Sequence, residues 1–302
     1  MHHFKIMPIL LVVPLVSITT PMRKSNKRLC LYNTHLKANK YTALRCVLIA
    51  AEQTVFSDPH SQCYGSSALI IIHRNGLTSA MMQKIASSST HPATVFLKQQ
   101  DIKKRHCAIR WFNHSHEISR CGHGTLAAAL FLKKFQGISP QGFYSNNKEL
   151  FSIKSQRKQT QLQMTTIKST QIAPLPLLSN AIKGKIIKTY QTAEQHGYIT
   201  VLVDNRQPLT SYIVDIDELT HVANAVILLQ QANITEQQGV WYFRYFAPYY
   251  GVNEDRATGS ALSVIAPITE QLTHKKQSLL IQQSSTKAVI HSCLSGKSVI
   301  IY

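Results

Sequence analysis

Short apolar runs separated by polar turns recur along the chain after residue 45, and their lengths are typical of β-strands. The predicted strands are Cys46–Ala50, Ala68–Ile72, Ala93–Leu97, His106–Phe112, Tyr198–Val203, Ala225–Gln230, Val240–Phe246, Ser278–Gln282 and Ser298–Tyr302. They are spread over most of the chain, so the protein is expected to be rich in β-structure.

Only three segments have helical character. Thr78–Ser87 carries its apolar residues on one face, which is typical of a helix that covers a sheet. Two further segments, which begin near Gly124 and Gly259, are apolar all round, as a helix enclosed by a sheet would be. Many strands with few helices predict a mixed α+β fold.

One pattern of residues occurs twice. Arg110-Trp111-Phe112 leads to Cys121-Gly122-His123-Gly124-Thr125 and an apolar helix, Leu126 to Phe135. Arg244-Tyr245-Phe246, 134 positions later, leads to Ala257-Thr258-Gly259-Ser260-Ala261 and a second apolar helix. An aromatic strand, a polar loop and a glycine-marked helix start in the same order indicate a duplicated lobe. With 302 residues, the chain is long enough for two cores.

The N-terminal stretch differs from the rest. Residues 6–18 are apolar but contain Pro8 and Pro14, and the run is too short to span a bilayer. The basic, polar stretch after it shows no clear period. We therefore expect residues 1–44 to form an extension outside the fold and the protein to have no membrane span. Two alternatives remain open: residues 1–21 act as a signal peptide for export, or translation starts near Met22.

The charge and the cysteine content of the chain argue against nucleic-acid binding and a metal site but do not select a function. Lys and Arg outnumber Asp and Glu by 33 to 14, and a net charge of +19 attracts nucleic acids, anionic lipids and acidic ligands alike. The basic residues are scattered and accompany no nucleic-acid-binding motif, so a solvated basic surface is favoured over nucleic-acid binding. The six cysteines show no metal-type spacing, and a reduced interior without a metal site is expected.

The two glycine-marked helix starts are candidate anion sites. A helix that begins at glycine presents unpaired backbone N–H groups and the positive end of its dipole, which suits a carboxylate. Gly124 and Gly259 would donate from the backbone, while Thr125 and Ser260 add hydroxyl groups. Helix capping is the alternative role of such hydroxyl groups, and the two roles are compatible.

Scarce ionisable residues lie in the same loops: Glu117 and His123 in the first, Glu254 and Asp255 in the second. An imidazole and a carboxylate from opposite lobes could pass a proton to and from a carbon atom. We therefore expect His123 to act in chemistry, and we expect Glu117 and Glu254 to make supporting hydrogen bonds.

These residues resemble a known family. Arg110-x-Phe112, Glu117 and Cys121-Gly122-His123-Gly124-Thr125 are similar to the first signature of the phenazine-biosynthesis PhzF-like proteins. The family's second signature is matched by Arg244-x-Phe246-Ala247-Pro248, by Glu254-Asp255 and by Ala257-Thr258-Gly259-Ser260-Ala261, which resemble it. Between the last two runs, Arg256 stands where the family usually has a proline. The resemblance covers the chain from about residue 46 to its end.

The resemblance implies a diaminopimelate-epimerase-like fold: two similar lobes, residues 45–165 and 166–302, each with mixed β-strands around a central apolar helix. The last strand is a candidate to return to the first lobe. It also implies a cytoplasmic isomerase, expected as a homodimer, that moves a proton on a small carboxylic acid without metal or cofactor. By position, His123 and Asp255 would be catalytic, with Gly124, Thr125, Gly259 and Ser260 binding the substrate.

One essential position departs from the family. The family's acid/base glutamate corresponds to Ala93, which has no titratable group, so the proton transfer is expected to be altered or lost. His91 is a candidate substitute, although Pro92 disturbs the strand between them, and a surface position is favoured for it. A racemase with two thiols is disfavoured, because Thr258 occupies the second cysteine position. A catalytically inactive protein that binds small carboxylates is the alternative function.

Overall fold

Sixteen of the described strands form one long sheet, and two buried helices pack against it in a common core. The computed structural model describes residues 46–156, 159–193, 197–232 and 239–302, so the expected N-terminal extension lies outside the described residues. All described residues belong to one compact unit.

We call the part of the chain before residue 166 the first lobe, and in the described residues it contains eight strands and two helices. Its strands are β1 (Val47–Val55), β2 (Ser66–His73), β3 (Ala93–Lys98), β4 (His106–Phe112), β5 (Glu117–Ile118), β6 (Gly142–Tyr144), β7 (Leu150–Gln156) and β8 (Gln159–Thr165). Its helices are α1 (Ser79–Ser87) and α2 (Gly122–Gln136). Helix α2 is buried along most of its length and ends at Gly137, whose left-handed backbone lets its N–H bond to the carbonyl of Leu132.

The second lobe repeats this plan with more strands. Its strands are β9 (Ser169–Ile172), β10 (Ile182–Lys183), β11 (Ile186–Thr192), β12 (Tyr198–Val203), β13 (Ile213–Val214), β14 (Ala225–Gln231), β15 (Val240–Phe246), β16 (Gln277–Gln282), β17 (Ala288–Ser295) and β18 (Ser298–Ile301). Its helices are α3 (Pro176–Ala181), α4 (Ile216–Thr220) and α5 (Leu262–Thr273). A 3₁₀ turn, Gly259–Ala261, leads directly into the buried helix α5.

The strand order shows how the lobes join. Among the described residues the order is β1-β2-β3-β4-β6-β7-β8-β18-β17-β16-β15-β14-β12-β11-β9, with β5 beside β4 and β10 paired with β13. In both lobes a parallel pair is followed by an antiparallel one: β2 with β3 and then β4, and β12 with β14 and then β15. The last strand, β18, pairs with both β17 and β8, so it links the two halves of the sheet.

Burial follows the alternation of the strands. Inward-facing side chains of both lobes, together with α2 and α5, form one hydrophobic core. The outer faces are covered by the remaining helices: α1 packs on the first lobe, and α3 and α4 pack on the second. The fold is therefore the expected α+β arrangement of two similar lobes, each with a central apolar helix. No helix of the described part is long and apolar enough to cross a membrane.

Candidate functional site

The starts of the two inner helices touch each other. A Cβ atom added to Gly122 would lie 2.7 Å from the carbonyl carbon of Gly259 and 2.7 Å from the backbone nitrogen of Ser260. Only glycine fits at this approach, because the neighbouring atoms are backbone and cannot rotate away. Both candidate anion sites therefore lie at a single place between the lobes.

His123 occupies the first turn of α2 and is 5% exposed. Its Nδ1 atom lies 3.7 Å from the Cys121 sulfur, whereas its Nε2 atom is buried without a hydrogen-bond partner among the described residues. Burial lowers the pKa of His123, and the negative charge of Asp255 opposes that shift. The imidazole is therefore favoured in its neutral form, with one ring nitrogen unoccupied.

Cys121 caps the start of α2 and is also buried. Burial raises the pKa of its thiol to about 12, while the backbone N–H of Gly124, which points at the sulfur, favours the thiolate. The hydroxyl of Thr125 donates to the Cys121 carbonyl at 2.6 Å. Gly124 is closely surrounded, since an added Cβ would lie 2.9 Å from the Cys121 sulfur, 3.0 Å from the Trp111 ring and 3.1 Å from Val95.

In the second lobe, Asp255 is tied into its own loop. Its Oδ1 atom accepts from the Arg256 N–H at 2.8 Å, and its Oδ2 atom accepts from the Thr258 hydroxyl at 2.6 Å. The fully buried Gln282 donates to the Asp255 carbonyl at 2.7 Å and accepts from the Thr258 N–H at 2.5 Å. The carboxylate is thus held in a fixed orientation next to Gly259 and Ser260.

Each lobe braces its site loop with an arginine. Arg110 binds Glu117 through two hydrogen bonds of 2.7 and 2.6 Å, and Arg244 binds Glu254 through two of 2.8 and 2.9 Å. Each guanidinium also lies about 5 Å above the phenylalanine two positions later. The prediction that Glu117 and Glu254 make supporting hydrogen bonds is confirmed.

A third arginine crosses between the lobes. Arg120 donates to Glu149 at 2.7 Å and to the Thr165 carbonyl at 2.9 Å, both in the first lobe. It also donates to the Ser263 hydroxyl of α5 at 3.1 Å, and Ser263 in turn donates to the Ser260 carbonyl at 2.7 Å. This chain connects the residue before Cys121 to the start of the second inner helix.

Ala93 is fully buried at the start of β3 and belongs to the hydrophobic core. It shares a strand face with Val95, which contacts Gly124, so it points toward α2. His91 does not share that face. Its Nε2 atom lies 3.5 Å from the carboxylate of Glu52 in β1. Glu52 is paired with Leu69, and Leu69 packs against the cluster of buried residues under α1, on the outer face of the sheet.

Sequence reasoning missed the roles of Gln282 and Arg120. The signal for Gln282 was available, because it follows Leu280 at a spacing of two and therefore falls on the inward face of its strand. Arg120 carried no such signal, since its partners come from distant parts of the chain. Two cavities of about 210 and 230 Å³ lie elsewhere, around Arg206 and Tyr242 and around Leu175 and Ile187.

The described residues contain no group of three or more His, Cys, Asp or Glu side chains placed to hold a metal ion. At the two helix starts, the groups that can act on a ligand are backbone N–H groups, hydroxyls, one imidazole and one carboxylate. These groups can bind the carboxylate of a ligand and exchange a proton with one of the ligand's carbon atoms.

Comparisons with known proteins give the family. The family model for phenazine biosynthesis-like proteins (PhzC-PhzF) matches residues 55–292. A phenazine biosynthesis-like domain-containing protein of Bos taurus is 26% identical over 231 residues, which cover 70% of this chain and 80% of that protein. An uncharacterized isomerase of Halalkalibacterium halodurans is 27% identical over 225 residues, with 73% and 82% covered.

Solved structures agree on the fold. A PhzF family protein of Enterococcus faecalis superposes with a TM-score of 0.71 at 21% identity, covering 84% of this chain and 95% of that one. A PhzC/PhzF protein of Clostridium difficile gives a TM-score of 0.69 at 22% identity over 84% and 95%. On the family match and the fold together, the chain belongs to the phenazine biosynthesis-like protein family.

Proposed function

We propose that the protein is an isomerase that moves a proton on a small carboxylic acid without a cofactor. The observation that carries this proposal is the meeting of the two helix starts, where the buried Nε2 atom of His123 has no described partner. The substrate carboxylate would bind to the backbone N–H group at Gly259 and to the Ser260 hydroxyl, since the Gly124 N–H already points at the Cys121 sulfur. The isomerase name of the Halalkalibacterium halodurans relative supports the reaction class.

In this proposal His123 and Asp255 have different tasks. The neutral imidazole takes the proton, since burial favours its uncharged form. Asp255 supplies a fixed negative charge that stabilises the imidazolium once it forms, because both of its oxygens are held by loop hydrogen bonds. Thr125 contributes mainly by fixing the start of α2.

The mechanism differs from the family pattern at Ala93. A methyl group in the hydrophobic core cannot carry a proton, and His91 lies on the other face of the sheet. Loss of one acid/base group costs about 10²- to 10⁴-fold in rate, so turnover is expected to be slow.

Binding is tested first by a thermal-shift screen of small carboxylic acids. A ligand present at 100 times its Kd stabilises the folded protein by about 2.7 kcal/mol, which raises Tm by several degrees. Ser260→Ala should reduce the shift. The control Ser284→Ala, which removes only an exposed hydroxyl that donates to the Arg256 carbonyl at 2.9 Å, should keep it. A screen in which no acid shifts Tm, or in which Ser260→Ala behaves like wild type, contradicts the site.

The second candidate is an inactive protein of the same fold that binds small carboxylates. The absence of a titratable group at Ala93 favours it specifically. Ala93→Glu separates the two functions, because a buried carboxylate there would have a raised pKa and could act as an acid. Solvent-deuterium incorporation into the bound acid by Ala93→Glu alone supports the inactive binder. Incorporation by wild type supports the isomerase.

We further propose that the lobes divide at residues 165 and 166, and that the protein is a cytoplasmic homodimer. The pairing of β18 with β8 supports a last strand that returns to the first lobe. Size-exclusion chromatography with light scattering tests the dimer.

A further inference from the structure

The start of α2 brings two titratable side chains into contact. The Nδ1 atom of His123 lies 3.7 Å from the Cys121 sulfur, and both side chains are at least nine-tenths buried. The other ring nitrogen, Nε2, has no described partner. Asp255, the remaining titratable group at the helix starts, already accepts one hydrogen bond at each carboxylate oxygen.

In a neutral imidazole one ring nitrogen carries a hydrogen and the other carries a lone pair. The hydrogen-bond partner of one nitrogen decides which of the two it carries, and this fixes the state of the other nitrogen. If the hydrogen is on Nε2, that buried N–H has no described acceptor, and the lone pair is on Nδ1, where it faces the Cys121 thiol. If the hydrogen is on Nδ1, it can donate to the Cys121 sulfur, and the lone pair at Nε2 is free to accept a proton.

We propose that Cys121 is the positioning residue for His123: its sulfur accepts the Nδ1–H group and holds the imidazole in the tautomer in which Nε2 is the base. This inference rests on the proposed isomerase function. Cys121 does not touch the substrate in this scheme and acts only through the ring of His123.

The proton transfer balances with these groups alone. Nε2 forms a bond to the substrate hydrogen, and the electron pair of the broken C–H bond stays on the substrate, delocalised toward its carboxylate. The imidazolium then returns the proton and Nε2 regains its lone pair. Return to a different carbon requires that this carbon end a double bond conjugated with the carbanion, and that double bond shifts by one position as the new C–H bond forms. The Nδ1–H···S hydrogen bond persists throughout, and the charge of Asp255 in the opposite lobe stabilises the cation.

The test is long-range ¹H–¹⁵N NMR on protein with ¹⁵N-labelled histidine rings. The chain has 14 histidines, and the signals lost in His123→Gln identify those of His123. We expect wild type at neutral pH to show the Nδ1–H pattern, Cys121→Ser to keep it, and Cys121→Ala to lose it. Cys107→Ala is the matched control, because Cys107 is a fully buried core cysteine whose sulfur faces the Lys104 carbonyl.

Two results would overturn the inference. One is an Nε2–H pattern in the wild type, and the other is an unchanged tautomer in Cys121→Ala. If Cys121→Ala does not fold, the wild-type spectrum and Cys121→Ser still decide. The tautomer is read without turnover, so a protein that shows the Nδ1–H form but never exchanges substrate hydrogens would contradict the isomerase proposal and leave the role of Cys121 standing.

Discussion

The two lobes share the same arginine–glutamate pair beside the site and differ in the side chains that they place at the helix start. In both, an arginine on the strand before the site holds a glutamate in the loop and stacks on a phenylalanine. The distances agree within 0.3 Å between the Arg110–Glu117 and Arg244–Glu254 pairs. A frame repeated this closely indicates that each brace sets the position of its loop.

The contents of the two loops are unlike. The first lobe offers Cys121 and His123, with one buried nitrogen unoccupied. The second lobe offers Asp255 and Thr258, which Gln282 and the loop backbone hold in a closed hydrogen-bond network. In the proposed function the two lobes therefore have different tasks: the first would carry the group that takes a proton, and the second would carry a fixed charge.

The largest effect is expected from Gln282→Leu. Leucine has a similar volume, but it leaves the buried N–H of Thr258 and the carbonyl of Asp255 without their partner, at about 1–3 kcal/mol for each. Urea unfolding measures the loss. Ser145 lies at the matching place in the first lobe, just after β6, and in the described part of the chain its hydroxyl accepts one hydrogen bond, from the nearby Glu149 N–H. Ser145→Ala should cost clearly less, and equal losses would contradict the specialised network.

The contact between the lobes is tested by Gly122→Ala. Its Cβ would meet the backbone of Gly259 and Ser260, so both helix starts must move, and we expect a loss of about 1–3 kcal/mol. Gly259→Ala is the matched variant from the other lobe. Its Cβ would meet the ends of the Ile301 and Phe56 side chains, which can shift, so Tm should fall less. The reverse order would mean that the helix starts do not touch.

The two braces can be compared by double-mutant cycles. Glu254→Gln and Glu117→Gln each weaken a charge-assisted pair of hydrogen bonds, with an expected cost of about 1–2 kcal/mol. The second-lobe pair should show the larger coupling energy. Its arginine is 15% exposed, against 25% for Arg110. Each arginine makes one further hydrogen bond to oxygen, Arg244 to the Tyr212 carbonyl at 2.7 Å and Arg110 to the Ser79 hydroxyl at 2.9 Å, so the ranking depends on the difference in exposure. Cycles with Arg244→Lys and Arg110→Lys give the two coupling energies, and a larger value for the first lobe would reject this ranking.

The smallest effect is on the pH dependence of stability. Burial lowers the pKa of His123 in the folded protein, so its contribution to stability is complete above the ordinary histidine pKa of about 6.5 and declines as the pH falls through the lowered value. His123→Gln should flatten the loss of stability between neutral and acidic pH. His73, His116 and His291 also have pKa values lowered by burial, so part of the slope should remain. An unchanged slope in His123→Gln would show that the imidazole is not buried as a neutral group.

Apolar patterning located much of the fold. All nine predicted strands are present, and the three predicted helices are found at Ser79–Ser87 and after the two glycine-marked starts. The strands that escaped prediction, such as Gln159–Thr165 and Ser169–Ile172, are rich in Gln, Ser and Thr, and they lie where the sheet leaves part of its surface to solvent. The short helices α3 and α4 offer too few turns for a clear period.

The candidate site was predicted as two helix starts that face one cleft, but the direct contact between their backbones was not predicted. The repeated motif located His123 and Asp255, since glycine-marked starts are readable in sequence. What sequence could not supply is the network that holds them. Arg120 bonds to Glu149 in its own lobe and to Ser263 in the other, and the bond to Ser263 requires the two lobes to pack together.

The central claim is that His123 takes a proton from a bound carboxylic acid despite the alanine at position 93. The most direct measurement is solvent-deuterium incorporation into an acid identified by thermal shift, followed by mass spectrometry at equal folded concentrations of wild type and His123→Gln. Incorporation by wild type that falls by about 10²-fold or more in His123→Gln is the predicted result. Equal incorporation by both proteins, or none by wild type while the acid is bound, would contradict it.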